Sequence, residues 1–381
     1  MRVRNSLALP CLLLSVGASL SAQSIFQVVP SPNIHPTPFQ NGLQAAAASS
    51  STDIWAVGQS AIHYDGTQWT AFPVPGIHGD NTSYLTSVVD LSPTNAWAGG
   101  LVGVDVGSTN QILVHWNGTK WSVYPGPKFP AGDEPSIWGM TAISADNIWA
   151  VGNLLNPGNG ALYALFEHWD GTSWTAQTGP FYGFFEGVSA DAANDIWAVG
   201  YSGNITFSEH YDGSTWSLVR TPSVGTGPNI LHGVVALAPD NVWAVGSSTA
   251  TTKAPPPYYD VPTKTLIEHY DGTSWSVVTS PNVGPYTQYE SNRLLGIVAV
   301  SSNDLWAFGS YFAPSGSLDQ ITLLMQWDGT SWNMQPCPNP TTSSPQSNIL
   351  WGGVVTGPGD VWIVGDSQAG QQTLVLNTTG G

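Results

Sequence analysis

The chain has 381 residues, with 25 acidic side chains against 8 basic ones, 42 glycines and 18 tryptophans. A net charge of −17 argues against nucleic-acid binding, which needs clustered Lys and Arg at the phosphates, and against attraction to anionic membranes. No stretch shows sustained helical periodicity.

Residues 1–22 read as a secretory signal peptide. Arg2 and Arg4 supply the positive start, Leu7 to Leu20 the apolar stretch, and Ser21-Ala22 the small-residue end. The apolar stretch is too short to span a bilayer, and no other segment is long enough, so no membrane insertion is expected. The expected location is extracellular or periplasmic. Cleavage removes Cys11 and leaves Cys337 as a single loop thiol, so no internal disulfide can form. It also leaves six basic residues against 25 acidic ones, a net charge of −19. Residues 23–381 are expected to form one domain.

The first element after the leader is a short strand, Ile25-Phe26-Gln27-Val28-Val29, followed by Pro30-Ser31-Pro32-Asn33. It matches Ser274-Trp275-Ser276-Val277-Val278 and the Pro281-Asn282 that follows, with Phe26 in the Trp place. Seven copies of one phrase come next, beginning with Asp53-Ile54-Trp55-Ala56-Val57-Gly58 and ending with Asp360-Val361-Trp362-Ile363-Val364-Gly365. The tryptophans between them are Trp97, Trp149, Trp197, Trp243 and Trp306. Spacings of this order are the size of one supersecondary unit, so the chain is a repeat array.

Each copy except the last is followed by a second phrase of the type His168-Trp169-Asp170-Gly171-Thr172-Ser173-Trp174. The Asp-Gly or Asn-Gly marks a hairpin, because Gly accepts the positive φ of such turns. An apolar run upstream of each Trp, such as Gly233-Val234-Val235-Ala236-Leu237, makes another hairpin with the Trp strand. Each repeat therefore contains four antiparallel strands, a to d, with the phrase Trp in strand b. The architecture expected is a seven-bladed β-propeller of four-stranded blades. The last repeat ends at its strand c, Thr373 to Asn377, so the N-terminal strand should complete blade seven and close the ring.

On these two phrases the chain resembles secreted bacterial propeller proteins built from Trp-Ala-Val-Gly and His-aromatic-Asp-Gly repeats. It is more distantly similar to kelch and Asp-box propellers. The resemblance implies the fold, and a range of functions that includes binding proteins, lyases, hydrolases and oxidases.

Features present in every blade belong to the frame. Five histidines, His63, His115, His168, His210 and His269, share one strand-c place, with Gln326 in blade six. They lie in different blades and cannot converge on one metal, so a blade hydrogen bond is expected of them. The Glu before three of them (Glu167, Glu209, Glu268) is read as structural too. Sixteen of the 18 tryptophans hold recurring places, and only Trp138 and Trp351 remain. Both stand eleven residues before the strand-b Trp. Around the ring that place reads Gln44, Thr86, Trp138, Glu186, His232, Leu295 and Trp351. The next residue is always small, as expected where inner strands crowd the axis. The varied residue should face the mouth of the central channel.

The a–b and c–d connections are short, whereas the b–c and d–a connections vary and lengthen on one face. Function usually sits on such loops. The d–a loops bring Asp133, Glu134, Tyr182, Phe184, Tyr286, Tyr289, Glu290 and Arg293 towards the varied ring. Gln44, Trp138, Glu186, His232, Tyr289, Arg293 and Trp351 form the expected ligand site, with no metal and no cofactor. A carbohydrate or protein ligand fits the aromatic faces flanked by hydrogen-bonding groups. In the alternative, Glu186 and His232 are the acid–base pair of a glycoside hydrolase or polysaccharide lyase. G-x-S-x-G, H-E-x-x-H and Walker motifs are all absent, and Arg220 and Arg293 are too few for sialidase chemistry. A scaffold without a small ligand is the third reading. A monomer is expected.

Overall fold

The structure, a computed structural model, describes residues 24–36, 40–80, 82–105, 108–249, 263–284, 291–313, 319–342 and 346–378. These residues form seven four-stranded antiparallel sheets arranged as the blades of a propeller. The a strands are Leu43–Ser50, Tyr84–Ser92, Glu134–Ser144, Phe184–Ala192, Asn229–Ala238, Asn292–Ser301 and Asn348–Gly357. Each touches the a strands of both neighbouring blades, so they line the axis. The b strands are buried along nearly their whole length, because blades cover both of their faces. Every described a–b turn has two residues and every c–d turn four, which leaves the length variation to the opposite connections.

The ring closes as the sequence predicts. Phe26–Val28 pairs with Gln372–Thr378 in the register Phe26↔Thr378, Gln27↔Asn377, Val28↔Leu376. This gives blade seven its fourth strand.

Blades interlock through the repeat tryptophans. Trp55 of blade one lies 4.8 Å from Trp116 and 4.9 Å from Trp121 of blade two. The relation recurs around the ring and ends with Trp362 of blade seven, 4.9 Å from Tyr64 and 5.7 Å from Trp69 of blade one. At the closure Trp306 meets Phe26 at 5.1 Å. Phe26 thus serves in packing as well as in register as the missing strand-d aromatic.

The histidine series is a clamp within each blade. Nε2 of His63 and His210 lies 2.6 and 2.7 Å from the carboxylates of Asp53 and Asp195. His115, His168 and His269 reach Asn95, Asn147 and Asn241, each at 2.9 Å. Gln326 donates to Asp304 at 2.9 Å, and Asn377 to Asp360 at 2.7 Å. One polar bond therefore ties strand c to the start of strand b in all seven blades. In the five histidine blades the imidazole also lies against the strand-b Trp, at 4.3 to 4.7 Å between ring centroids.

The turn aspartates and the buried strand-c glutamates respond to acid in opposite ways. Asp65, Asp170, Asp212 and Asp328 each accept bonds from the two backbone N–H groups that follow in the turn and from the neighbouring hydroxyl. These bonds hold their carboxyls down at about 2. Glu167, Glu209 and Glu268 are at most 1% exposed, and no oxygen of theirs has a hydrogen-bond partner of good geometry. Gln111 and Thr206 only approach Glu167 and Glu268. Burial pushes Glu167 and Glu268 up to about 8 and Glu209 to about 7. Other blades place Ile62, Val114, Met325 and Leu376 there. The three carboxyls fill a place that is apolar in the other blades, and burial there favours their protonated form.

The pH dependence follows from the signs. The turn aspartates support folding above 3.8, their ordinary value, and that support is lost as pH falls through about 2. The buried glutamates support folding below 4.5, their ordinary value, and that support is lost as pH rises through about 7 to 8. The melting temperature is therefore expected to fall from mildly acid to alkaline solution. Glu268→Gln should flatten the fall between 4.5 and about 8. An unchanged slope in that variant would contradict the assignment.

Candidate functional site

Every a strand carries a β-bulge near its start, and the bulged residue is the varied one in all seven blades. The pairing to strand b skips Gln44, Thr86, Trp138, Glu186, His232, Leu295 and Trp351. A bulge frees one residue from the ladder and re-aims its side chain. The repeat glycine is the other half of this device. A Cβ at Gly200 would lie 1.9 Å from the Phe184 carbonyl oxygen, and one at Gly152 1.9 Å from that of Ser136. The remaining five repeat glycines face their a strands at 1.9 to 2.2 Å. Strand b must be bare there because the bulge drives the a-strand carbonyl towards it.

The small residue after the bulge has a separate cause. A Cβ on Gly187 would meet the His232 carbonyl oxygen at 3.0 Å, and one on Gly352 the Cα of Ala45 at 2.6 Å. Adjacent a strands run backbone to backbone at this level. The bulged side chains extend above that crowded floor.

All seven bulged residues, together with Arg293 and Phe308, line one central cavity of about 300 Å³. The structure therefore brings together Gln44, Trp138, Glu186, His232, Arg293 and Trp351, the expected site residues that it describes. Tyr289, Tyr286 and Glu290 lie outside the described residues. Asp133 and Glu134 do not reach this cavity.

The cavity wall is chemically uneven. Nδ1 of His232 and Oε2 of Glu186 are 2.5 Å apart, with side chains 15% and 20% exposed. Nε2 of His232 and Nε1 of Trp138 are buried without hydrogen-bond partners. Trp351 donates its Nε1 to Oδ2 of Asp366 at 2.6 Å. Burial raises the Asp366 carboxyl to about 6, against the opposing bonds from Trp351 and the Gly370 backbone. Thr86 is spent on the frame, donating to the carbonyls of Gly99 and Ile137. Phe308 stands where other blades have Val or Gly, and it fills the space left by Gly296 and Gly353. It narrows the channel from blade six.

Sequence reasoning missed Phe308, Asp366 and Tyr201. The residue after each repeat Gly reads Gln59, Leu101, Asn153, Tyr201, Ser247, Ser310 and Asp366, which is a second varied register. Subtracting the repeat at that place would have found Tyr201 and Asp366. Cys337 packs against the core between blades six and seven, and burial pushes its thiol up to about 12, far from nucleophilic. Among the described residues no group of three or more His, Cys, Asp or Glu could hold a metal ion. Nor is any helix there long and apolar enough to cross a membrane.

No protein-family model matches the chain, and no curated protein matches it. A solved structure described as "YCF48 bound to D1 peptide" is similar over 95% of this chain and 100% of its own, with a TM-score of 0.55 and 16% identity. At that identity the likeness concerns the fold, and the chain shares with it the β-propeller architecture.

Proposed function

We propose that this protein is a secreted binding protein whose central cavity recognises a neutral carbohydrate. One observation carries the reading. Seven bulges aim seven residues into one cavity, and those residues vary while the strands that hold them repeat. Trp138 and Trp351 offer faces for the apolar side of a sugar ring, and Glu186, His232, Gln44 and Arg293 offer hydrogen bonds. The chain's acidity favours a neutral ligand over an acidic one and speaks against nucleic acid. Secretion rests on the N-terminal leader sequence.

Two observations support other readings. The solved propeller noted above holds a peptide, which favours a protein partner. The Glu186–His232 hydrogen bond favours an acid–base enzyme. Against a two-carboxylate hydrolysis, Glu186 is the only carboxylate lining the cavity among the described residues.

A glycan array probed with the mature chain, alongside a screen for new reducing ends and unsaturated sugars, separates these readings. Binding without turnover is expected. Trp138→Ala should weaken it by about 2 kcal/mol, roughly thirtyfold, while the protein stays folded. Glycan binding unaffected by Trp138→Ala and Trp351→Ala would refute the site. Turnover abolished by Glu186→Gln would establish the enzyme.

A further inference from the structure

A second cavity, of about 450 Å³, lies beside the central one between blades three and four. Its wall includes Leu162, Tyr182, Phe184, Tyr201 and Ser202. An aromatic row joins the two cavities. The rings of Trp138 and Phe184 are 5.2 Å apart, and Phe184 stacks on Tyr201 at 5.3 Å with 21° between planes. Phe184 and Glu186 stand two residues apart on one strand, the first lining the outer cavity and the second the central one. The Glu186 charge adds to burial in raising the Tyr201 phenol, so that ring lies within electrostatic reach of the central site. Tyr182, at 63% exposed, lines the same cavity, with its ring 5.2 Å from that of Tyr163.

We infer that the carbohydrate site is an extended groove for several linked neutral sugars, running from the central cavity over Phe184 and Tyr201 to Tyr182. This inference rests on the carbohydrate reading of the central cavity and adds chain length and direction to it.

The lining argues for a sugar chain over a peptide. The outer cavity has no charged side chain among the described residues. Its walls come from the pairs Tyr163↔Tyr182, Phe184↔Tyr201 and Ser202↔Ile205, which set aromatic rings and hydroxyls along it. What remains is aromatic face and hydroxyl, which suit the apolar faces and hydroxyl rims of linked pyranose rings. The overall acidity disfavours uronate or sulfate chains.

The test is calorimetric titration of the full chain with neutral gluco-, xylo- and manno-oligosaccharides, from disaccharide to hexasaccharide. In the series that binds, the hexasaccharide is expected to bind about tenfold more tightly than the disaccharide, the effect of one further stacked ring. Tyr182→Ala should remove that gain, and Tyr201→Phe should reduce it, at unchanged melting temperature. Trp138→Ala should weaken both lengths. Equal affinity at all lengths, or a uniform loss in Tyr182→Ala, overturns the groove and leaves the central cavity reading standing. Silence from all three series overturns both. Capture of a library peptide that is lost in Tyr182→Ala overturns the groove's sugar assignment.

Discussion

Removal of residues 24–34 is expected to abolish the cooperative thermal transition of the protein. These residues give blade seven its outer strand and give Trp306 its aromatic partner at 5.1 Å. Beyond the three paired residues, Val29 donates to the Val375 carbonyl at 2.8 Å, and Asn33 accepts from the Thr373 backbone at 2.9 Å. Phe26 is only 1% exposed, so its loss empties a core place between blades six and seven. The deletion also leaves Gln372–Thr378 as an open edge able to pair with another molecule. Aggregation on heating should therefore accompany the loss of stability. A truncated chain that melts at the parent temperature would contradict the closure.

Trp243→Ala is expected to destabilise the protein by about 3–5 kcal/mol, the range for emptying a core aromatic site. The indole is 4% exposed and sits 4.3 Å from His269, 4.9 Å from Trp327 and 5.8 Å from Trp332. Its Nε1 donates to Asn241 at 2.9 Å, and the same Asn oxygen takes the His269 bond. The substitution therefore loosens the blade clamp as well as the contact between blades five and six. Denaturant unfolding measures the effect, and a loss below about 1 kcal/mol would show that the interlock is not where stability resides. His210→Ala should cost stability too, while leaving the affinity of the central cavity unchanged.

The contrast between these positions and Trp138 explains what the sequence made legible. Trp243 recurs in every blade, so its role could be assigned by counting. Trp138 and Trp351 stood out because they did not recur. Phe26 could be matched to Trp275 because closure demanded a seventh strand d. The physical means of aiming the ring was hidden. A bulge appears in sequence only as an unremarkable extra residue, and its sign was the invariant glycine on the other strand. Tyr201 and Asp366 were obscure for a different reason. They belong to strand b, whose repeated phrase draws attention to its ends at Trp and Gly and away from the residue beyond. Glu167, Glu209 and Glu268 were legible as structural, but their lack of partners depends on what the neighbouring blade presents.

The bulge has a consequence for how such a molecule can change. Each bulged residue lies outside the strand ladder that fixes its blade, so replacing its side chain leaves the pairing register as it is. The cavity wall is thereby set apart from the ladder, one residue per blade, except where Thr86 is tied to the neighbouring blade and Glu186 to His232. A duplicated blade arrives with its bulged position already built and free to be rewritten. A ring built this way can change the chemistry of its cavity, Thr86 excepted, by single substitutions that leave the strand ladder as it is.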